Sequence, residues 1–188
     1  SRYSVNGIPT AAGSFSLAGI SDNDLAWAGV GQYHDRVNPC ARMVWMGGVA
    51  NGGKAAVPYL VLKTEGGFPL PASHITRRTG RLIQADTAQV LADMMSQNVV
   101  LTYGADRFPN MDLCAKSGTA EVGGGKQPSS WFTGFLRDQD FPYAFAVVVE
   151  EGGSGAGAGP RTVTPLLSER SRAVIRASCV GPSAQSIG

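Results

Sequence analysis

Lys116, Ser117 and Gly118 place an ammonium, a hydroxyl and a residue with no side chain in adjacent positions. The lysine supplies a fixed positive charge that can hold a carboxylate or shift a neighbour's protonation. The glycine lets another backbone come close. All three lie in Asp112–Glu121, where Leu113, Ala115 and Ser117 alternate with Cys114, Lys116 and Gly118, the period of a strand. The free edge of such a strand can hold an extended peptide by main-chain hydrogen bonds. Lys-Ser-Gly alone is a common surface tripeptide, so its setting carries the weight. Gly123-Gly124-Gly125-Lys126-Gln127-Pro128 turns the chain, and Ser130–Leu136 and Tyr143–Val149 read as further strands. The tripeptide therefore opens an antiparallel meander.

Asn38 followed by Pro39 is a good helix start, and the helix is predicted from Pro39 to Ala50, stopping at Asn51-Gly52-Gly53. Cys40, Met43, Val44, Gly47 and Val49 give it a buried face, with Trp45 on the margin. Pro58–Lys63 reads as a strand. Thr87–Asn98 is the clearest amphipathic helix, capped by Asp86, with Val90, Leu91, Met94 and Met95 on its apolar face. Thr102–Asn110 is a loop into the motif strand. Gly152–Pro160 is the one low-complexity segment and reads as a mobile loop. Thr164-Pro165 opens a last helix with Leu166, Leu167, Val174 and Ala177 on one side, and residues 179–188 read as a frayed tail. The fold class is α+β, an antiparallel sheet with helices against its faces.

Lys116-Ser117-Gly118-Thr119-Ala120-Glu121, a Gly-rich turn and Trp131-Phe132-Thr133-Gly134-Phe135 resemble the third motif of the penicillin-binding protein transpeptidases. Upstream, Gly29-Val30-Gly31-Gln32, then Ala50-Asn51-Gly52-Gly53-Lys54 and Pro58-Tyr59-Leu60-Val61, are similar to a second block of that family, in the right order. The resemblance implies the C-terminal portion of a penicillin-binding, serine β-lactamase-like fold, with residues 1–188 a single partial domain. It implies a site with Lys116, Ser117 and Gly118 at the chemistry and Thr119, Ala120, Glu121 and Gln32 along the substrate. The implied reaction is D,D-transpeptidation of peptidoglycan stem peptides through a serine acyl-enzyme, with β-lactams as mimics of the peptide end. No cofactor and no metal is implied.

Two family features depart from the pattern. The nucleophile normally sits in Ser-x-x-Lys. Lys54, Lys63, Lys116 and Lys126 are preceded three residues earlier by Asn51, Leu60, Leu113 and Gly123, so that motif is absent from this chain. A Ser-x-Asn second motif has one copy, Ser21-Asp22-Asn23, but it lies only eight residues before Gly29 and is also a good cap or turn. The chain alone is therefore expected to be inactive, the C-terminal segment of an active transpeptidase. Two other readings stay open: a degenerate, non-catalytic peptide-binding or scaffold relative, and a β-lactamase-like serine hydrolase using Ser21-Asp22-Asn23.

Composition narrows the partners. A net charge of +2 with no Lys/Arg run gives no nucleic-acid footprint. No apolar run reaches the ~18 residues of a membrane helix, and the start Ser1-Arg2-Tyr3-Ser4 is polar. The resemblance places the domain on the extracytoplasmic face of a bacterial cell membrane, with its anchor expected in a missing N-terminal part. Cys40, Cys114 and Cys179 lack metal-ligand spacing, and an odd count precludes full pairing within the chain. His34 and His74 are isolated. A partial domain exposes apolar surface and a sheet edge, so self-association is expected.

Overall fold

The computed structural model describes residues 4–5, 8–32, 35–59, 77–138 and 141–168. A short antiparallel pair opens the chain, β1 (Ser4–Val5) with β2 (Ile8–Pro9). Next come α1 (Asp22–Gly29), α2 (Pro39–Ala50) and α3 (Ala85–Tyr103), then a 3-10 turn at Ala105–Arg107. The meander β3 (Leu113–Ala120), β4 (Ser129–Leu136) and β5 (Ala144–Val149) follows, and α4 (Ala158–Ser168) closes the described chain. The sheet is antiparallel in the order β3-β4-β5, with Lys116 opposite Thr133 and Gly118 opposite Trp131. Strands with helices on both faces make an α+β fold, as the sequence predicts.

α2 starts and stops where its sequence says. The Asn38 Oδ1 accepts the Cys40 N–H at 2.8 Å, and Pro39 takes the first helical position. The buried Asn38 carboxamide also donates to Thr10 Oγ1 at 2.8 Å and to the Ala11 carbonyl, tying the N-terminal segment to the helix. At the other end Gly53 has a φ of +93°, and a Cβ there would stand 1.9 Å from the Ile83 carbonyl oxygen. Glycine is required by both conformation and space.

α3 differs from its prediction in length and in face. It begins at Ala85 and runs through Gln97 and Asn98 to Tyr103, with Gln84 at the N-cap and no side-chain cap bond. Asp86 lies inside the first turn, where its Oδ1 accepts the Thr87 N–H at 2.8 Å. The buried residues are Ala88, Ala92, Met95 and Val99. Val90 and Met94, expected in the core, are 59% and 63% exposed. The inner face pairs the small Ala88 and Ala92 with Met95, which was expected in the core, and Val99, while Val90 and Met94 turn outward.

The sheet is packed on both sides. On one, Cys114, Phe135 and Ala144 meet Val49 of α2 and Ala92 and Met95 of α3. On the other, Leu113, Ala115, Phe132 and Leu136 meet Val99, Phe108 and Val163. The Phe108 ring stacks on Phe132 with centroids 6.0 Å apart, and Tyr103 meets Phe132 edge-on at 5.4 Å. Arg137, just past β4, donates to Asp93 of α3 at 2.6 Å. The Gln89 hydrogen bond, with Arg137, holds the Asp93 carboxyl below its ordinary range.

Burial pushes the Cys114 thiol up to about 11, against ~8.5 for a free thiol. A raised value favours the neutral thiol in the fold. Its contribution is whole below the unfolded value and is lost as pH rises towards the folded one. In native protein at pH 8, iodoacetamide followed by peptide mass mapping should modify the half-buried Cys40 and spare Cys114; equal labelling of both would contradict this packing.

α4 also begins earlier than predicted, at Ala158 rather than Thr164, so the end of the Gly-rich segment is helical. Pro165 lies inside the helix, and Thr164 Oγ1 donates to the Pro160 carbonyl at 2.7 Å. Val163 is the buried anchor, 1% exposed. The predicted strand at Pro58–Lys63 falls largely outside the described residues, as do His34, His74, Val174, Ala177 and the 179–188 tail.

Candidate functional site

β3 is an edge strand of the described sheet, and alternate residues turn their backbone groups away from β4. The outward groups belong to Ala115, Ser117, Thr119 and Glu121. Side chains from other elements meet most of them. Asn98 Nδ2 donates to the Ala115 carbonyl at 2.9 Å, and the Ser117 N–H donates to the Tyr103 hydroxyl at 2.8 Å. Gln32 Nε2 donates to the Thr119 carbonyl at 2.6 Å, while its Oε1 accepts the Glu121 N–H at 3.4 Å. Ladder alternation leaves the Thr119 N–H facing away from β4, between the Tyr103 and Gln32 contacts.

The motif residues stand around that opening. Lys116 is exposed, and its Nζ donates to the Ser117 carbonyl at 2.7 Å. It shares its sheet face with the buried Cys114 and with Gly118. Ser117 and Thr119 occupy the opposite face, Ser117 half-buried and Thr119 exposed. Ala120 pairs with Ser129, where the ladder ends. Thr119 Oγ1 accepts the Gly155 N–H at 3.0 Å.

Gly155 is buried against the motif. A Cβ on it would lie 2.2 Å from the Gly118 carbonyl oxygen. Ser130 Oγ accepts the Gly159 N–H at 3.1 Å and donates to the Gly155 carbonyl at 3.4 Å. The Gly153 N–H donates to the Pro128 carbonyl at 2.9 Å. The Gly-rich segment is thus stitched to the back of β3 and β4.

Ser21 and Asn23 stand at the start of α1. Ser21 is its N-cap: Oγ accepts the Asp24 N–H at 3.2 Å and donates to Asp24 Oδ2 at 2.8 Å, a capping box. Asn23 is exposed on the first turn. The cap accounts for Ser21.

Asn98, Tyr103 and Gly155 are site-shaping residues that the sequence reading passed over. Asn98 could have been found, since it lies three residues from Met95 on the buried side of α3. Tyr103 and Gly155 gave no local signal. The larger described cavity, about 680 Å³, lies between the N-terminal segment and α2, where Phe15, Arg36 and Trp45 line it. It contains none of the motif residues.

The chain matches the sequence profile of the penicillin-binding protein transpeptidase domain over residues 3–168. It belongs to that family. It is 30% identical to the peptidoglycan D,D-transpeptidase PbpA of Mycobacterium tuberculosis across 84% of this chain and 32% of that protein. It is 29% identical to PbpA of Mycolicibacterium smegmatis across 69% of this chain and 27% of that protein. Among solved structures it resembles penicillin-binding protein A from M. tuberculosis in a ceftriaxone acyl-enzyme complex. There the TM-score is 0.72 and the identity 25%, over 86% of this chain and 38% of that one. The chain therefore spans between 27% and 32% of the length of the curated relatives it matches. The Lys116–Glu121 segment and the Gly29-Val30-Gly31-Gln32 block, separate in sequence, meet in the fold where Gln32 touches Thr119.

Proposed function

We propose that this chain is the C-terminal segment of a peptidoglycan D,D-transpeptidase, and that the β3 edge grips the end of a stem peptide. The observation that carries this is the outward Thr119 N–H on the strand that also bears the exposed Lys116, with Tyr103 and Gln32 meeting the edge on either side of it. In this reading a serine outside the chain attacks the carbonyl of a D-alanyl-D-alanine end. A neighbouring lysine takes its proton. The Thr119 N–H polarises the carbonyl, and the Ser117 and Thr119 hydroxyls meet the terminal carboxylate. Lys116 holds positive potential there and tunes protonation. The C–N bond breaks, D-alanine leaves with the proton, and the amine of a second stem peptide then takes the acyl group from the serine. β-Lactams acylate the same serine. No helix among the described residues is long and apolar enough to cross a membrane. The parent protein works on the extracytoplasmic face of the bacterial cell membrane.

The test is D-alanine release from a D-alanyl-D-alanine pentapeptide by the full-length parent protein. Release is expected; none, with the peptide still bound, would indicate a non-catalytic relative.

Val90, Met94 and Leu101 are 59%, 63% and 84% exposed along one side of α3. The rest of the parent domain covers this stripe, and alone it meets another copy. Light scattering of the isolated chain at high concentration should show species above the monomer mass, shifted towards monomer by Met94→Lys. A clean monomer without the substitution would contradict this.

A further inference from the structure

The Gly-rich segment after β5 does more than connect. Gly155 runs so close beneath Gly118 that no side chain fits between them, since a Cβ would stand 2.2 Å from the Gly118 oxygen. From there its N–H donates to Thr119 Oγ1 at 3.0 Å. Ser130, fully buried, fixes the segment from below through the Gly159 N–H at 3.1 Å and the Gly155 carbonyl at 3.4 Å. A threonine hydroxyl has one hydrogen to give and two lone pairs to receive with. With a lone pair occupied from the sheet's back face, the O–H of the exposed Thr119 is left to donate on the open side of the edge.

We propose that Gly155 is a positioning residue. Its backbone N–H orients the Thr119 hydroxyl as a donor to the terminal carboxylate of the acyl donor, and Ser130 holds Gly155 in place. This rests on the transpeptidase reading. Its specific content is that selectivity for a free carboxylate depends on the Gly-rich segment.

The experiment compares acylation rates of the full-length protein by benzylpenicillin and by its methyl ester, which lacks the charge. The acid-to-ester ratio is the readout, because the fraction of folded enzyme cancels in it. Thr119→Val should lower the ratio roughly tenfold, the scale of one hydrogen bond to a charged group. Gly155→Ala should lower it comparably. Ser130→Ala, which adds no bulk, should lower it too. In a Thr119→Val background neither change should lower the ratio further. If Gly155→Ala and Ser130→Ala slow both compounds equally, the segment is only structural and the proposal is overturned. An unchanged ratio in Thr119→Val overturns it as well. No acylation of wild type by either compound overturns the transpeptidase reading itself.

Discussion

Lys116→Met in the full-length protein is expected to cut the rate of penicillin acylation about 10²-fold or more, the scale of removing one preorganised electrostatic group. The melting temperature should stay near wild type. Lys116 is exposed and its ammonium donates to the carbonyl of the next residue, so methionine, with a stem of similar length, keeps the fold's packing. What it loses is the positive charge on the motif strand. Lys116→Arg should recover only part of the rate, since a planar fork does not sit where a compact ammonium does. Rate measurements on the purified variants decide it; an unchanged rate for Lys116→Met would remove this residue from the chemistry.

Gly134→Ala is expected to destabilise the fold by about 3 kcal/mol, at the upper end for overpacking a core, and to lower the melting temperature by about 6 to 12 °C. A Cβ at Gly134 would stand 2.2 Å from the Cys114 carbonyl oxygen and 2.9 Å from the Ala115 Cβ. Both neighbours belong to β3, the strand paired with β4, and neither can withdraw without moving the motif strand. Gly80 is the control, because a Cβ there meets nothing within 4 Å; its alanine variant should fall within ~0.5 kcal/mol of wild type. Calorimetry of the variants reads the difference. A Gly134→Ala protein as stable as the Gly80 control would mean that β3 and β4 are not held as described.

The meander was legible because its signals are local. Lys116 and its neighbours alternate, the Gly-rich turn is short, and Trp131–Phe135 is strongly strand-forming. Asn38-Pro39 and Asn51-Gly52-Gly53 bracket α2 for the same reason: caps are written in a few adjacent residues. The face of α3 was not legible. Val90 and Met94 carry more apolar surface than Ala88 and Ala92, yet the two alanines turn inward, and which side does so is set by tertiary packing. The start of α4 failed differently. Alternating glycines look like flexibility in sequence, whereas Gly155 and Gly159 are glycines because Gly118 and Phe132 leave no room for a Cβ.

The candidate site divides along the same line. Lys116, Ser117 and Thr119 were readable as a motif, and Gln32 as part of a second block. That Gln32 would reach across to Thr119 and Glu121, and Tyr103 to Ser117, depends on how α1 and α3 lie against the edge. Ser21 shows the reverse case. Its tripeptide copies a catalytic pattern, but the Asp24 carboxylate three residues on makes it a helix cap.

The most direct test is labelling with fluorescent penicillin, followed by a denaturing gel, of both the full-length parent and this chain expressed alone. If the edge grips the peptide and the nucleophile lies elsewhere in the parent, as proposed, a covalent band is expected on the parent and none on the separate chain. A band on the separate chain, mapped to Ser21, Ser117 or any other of its serines, would contradict the account.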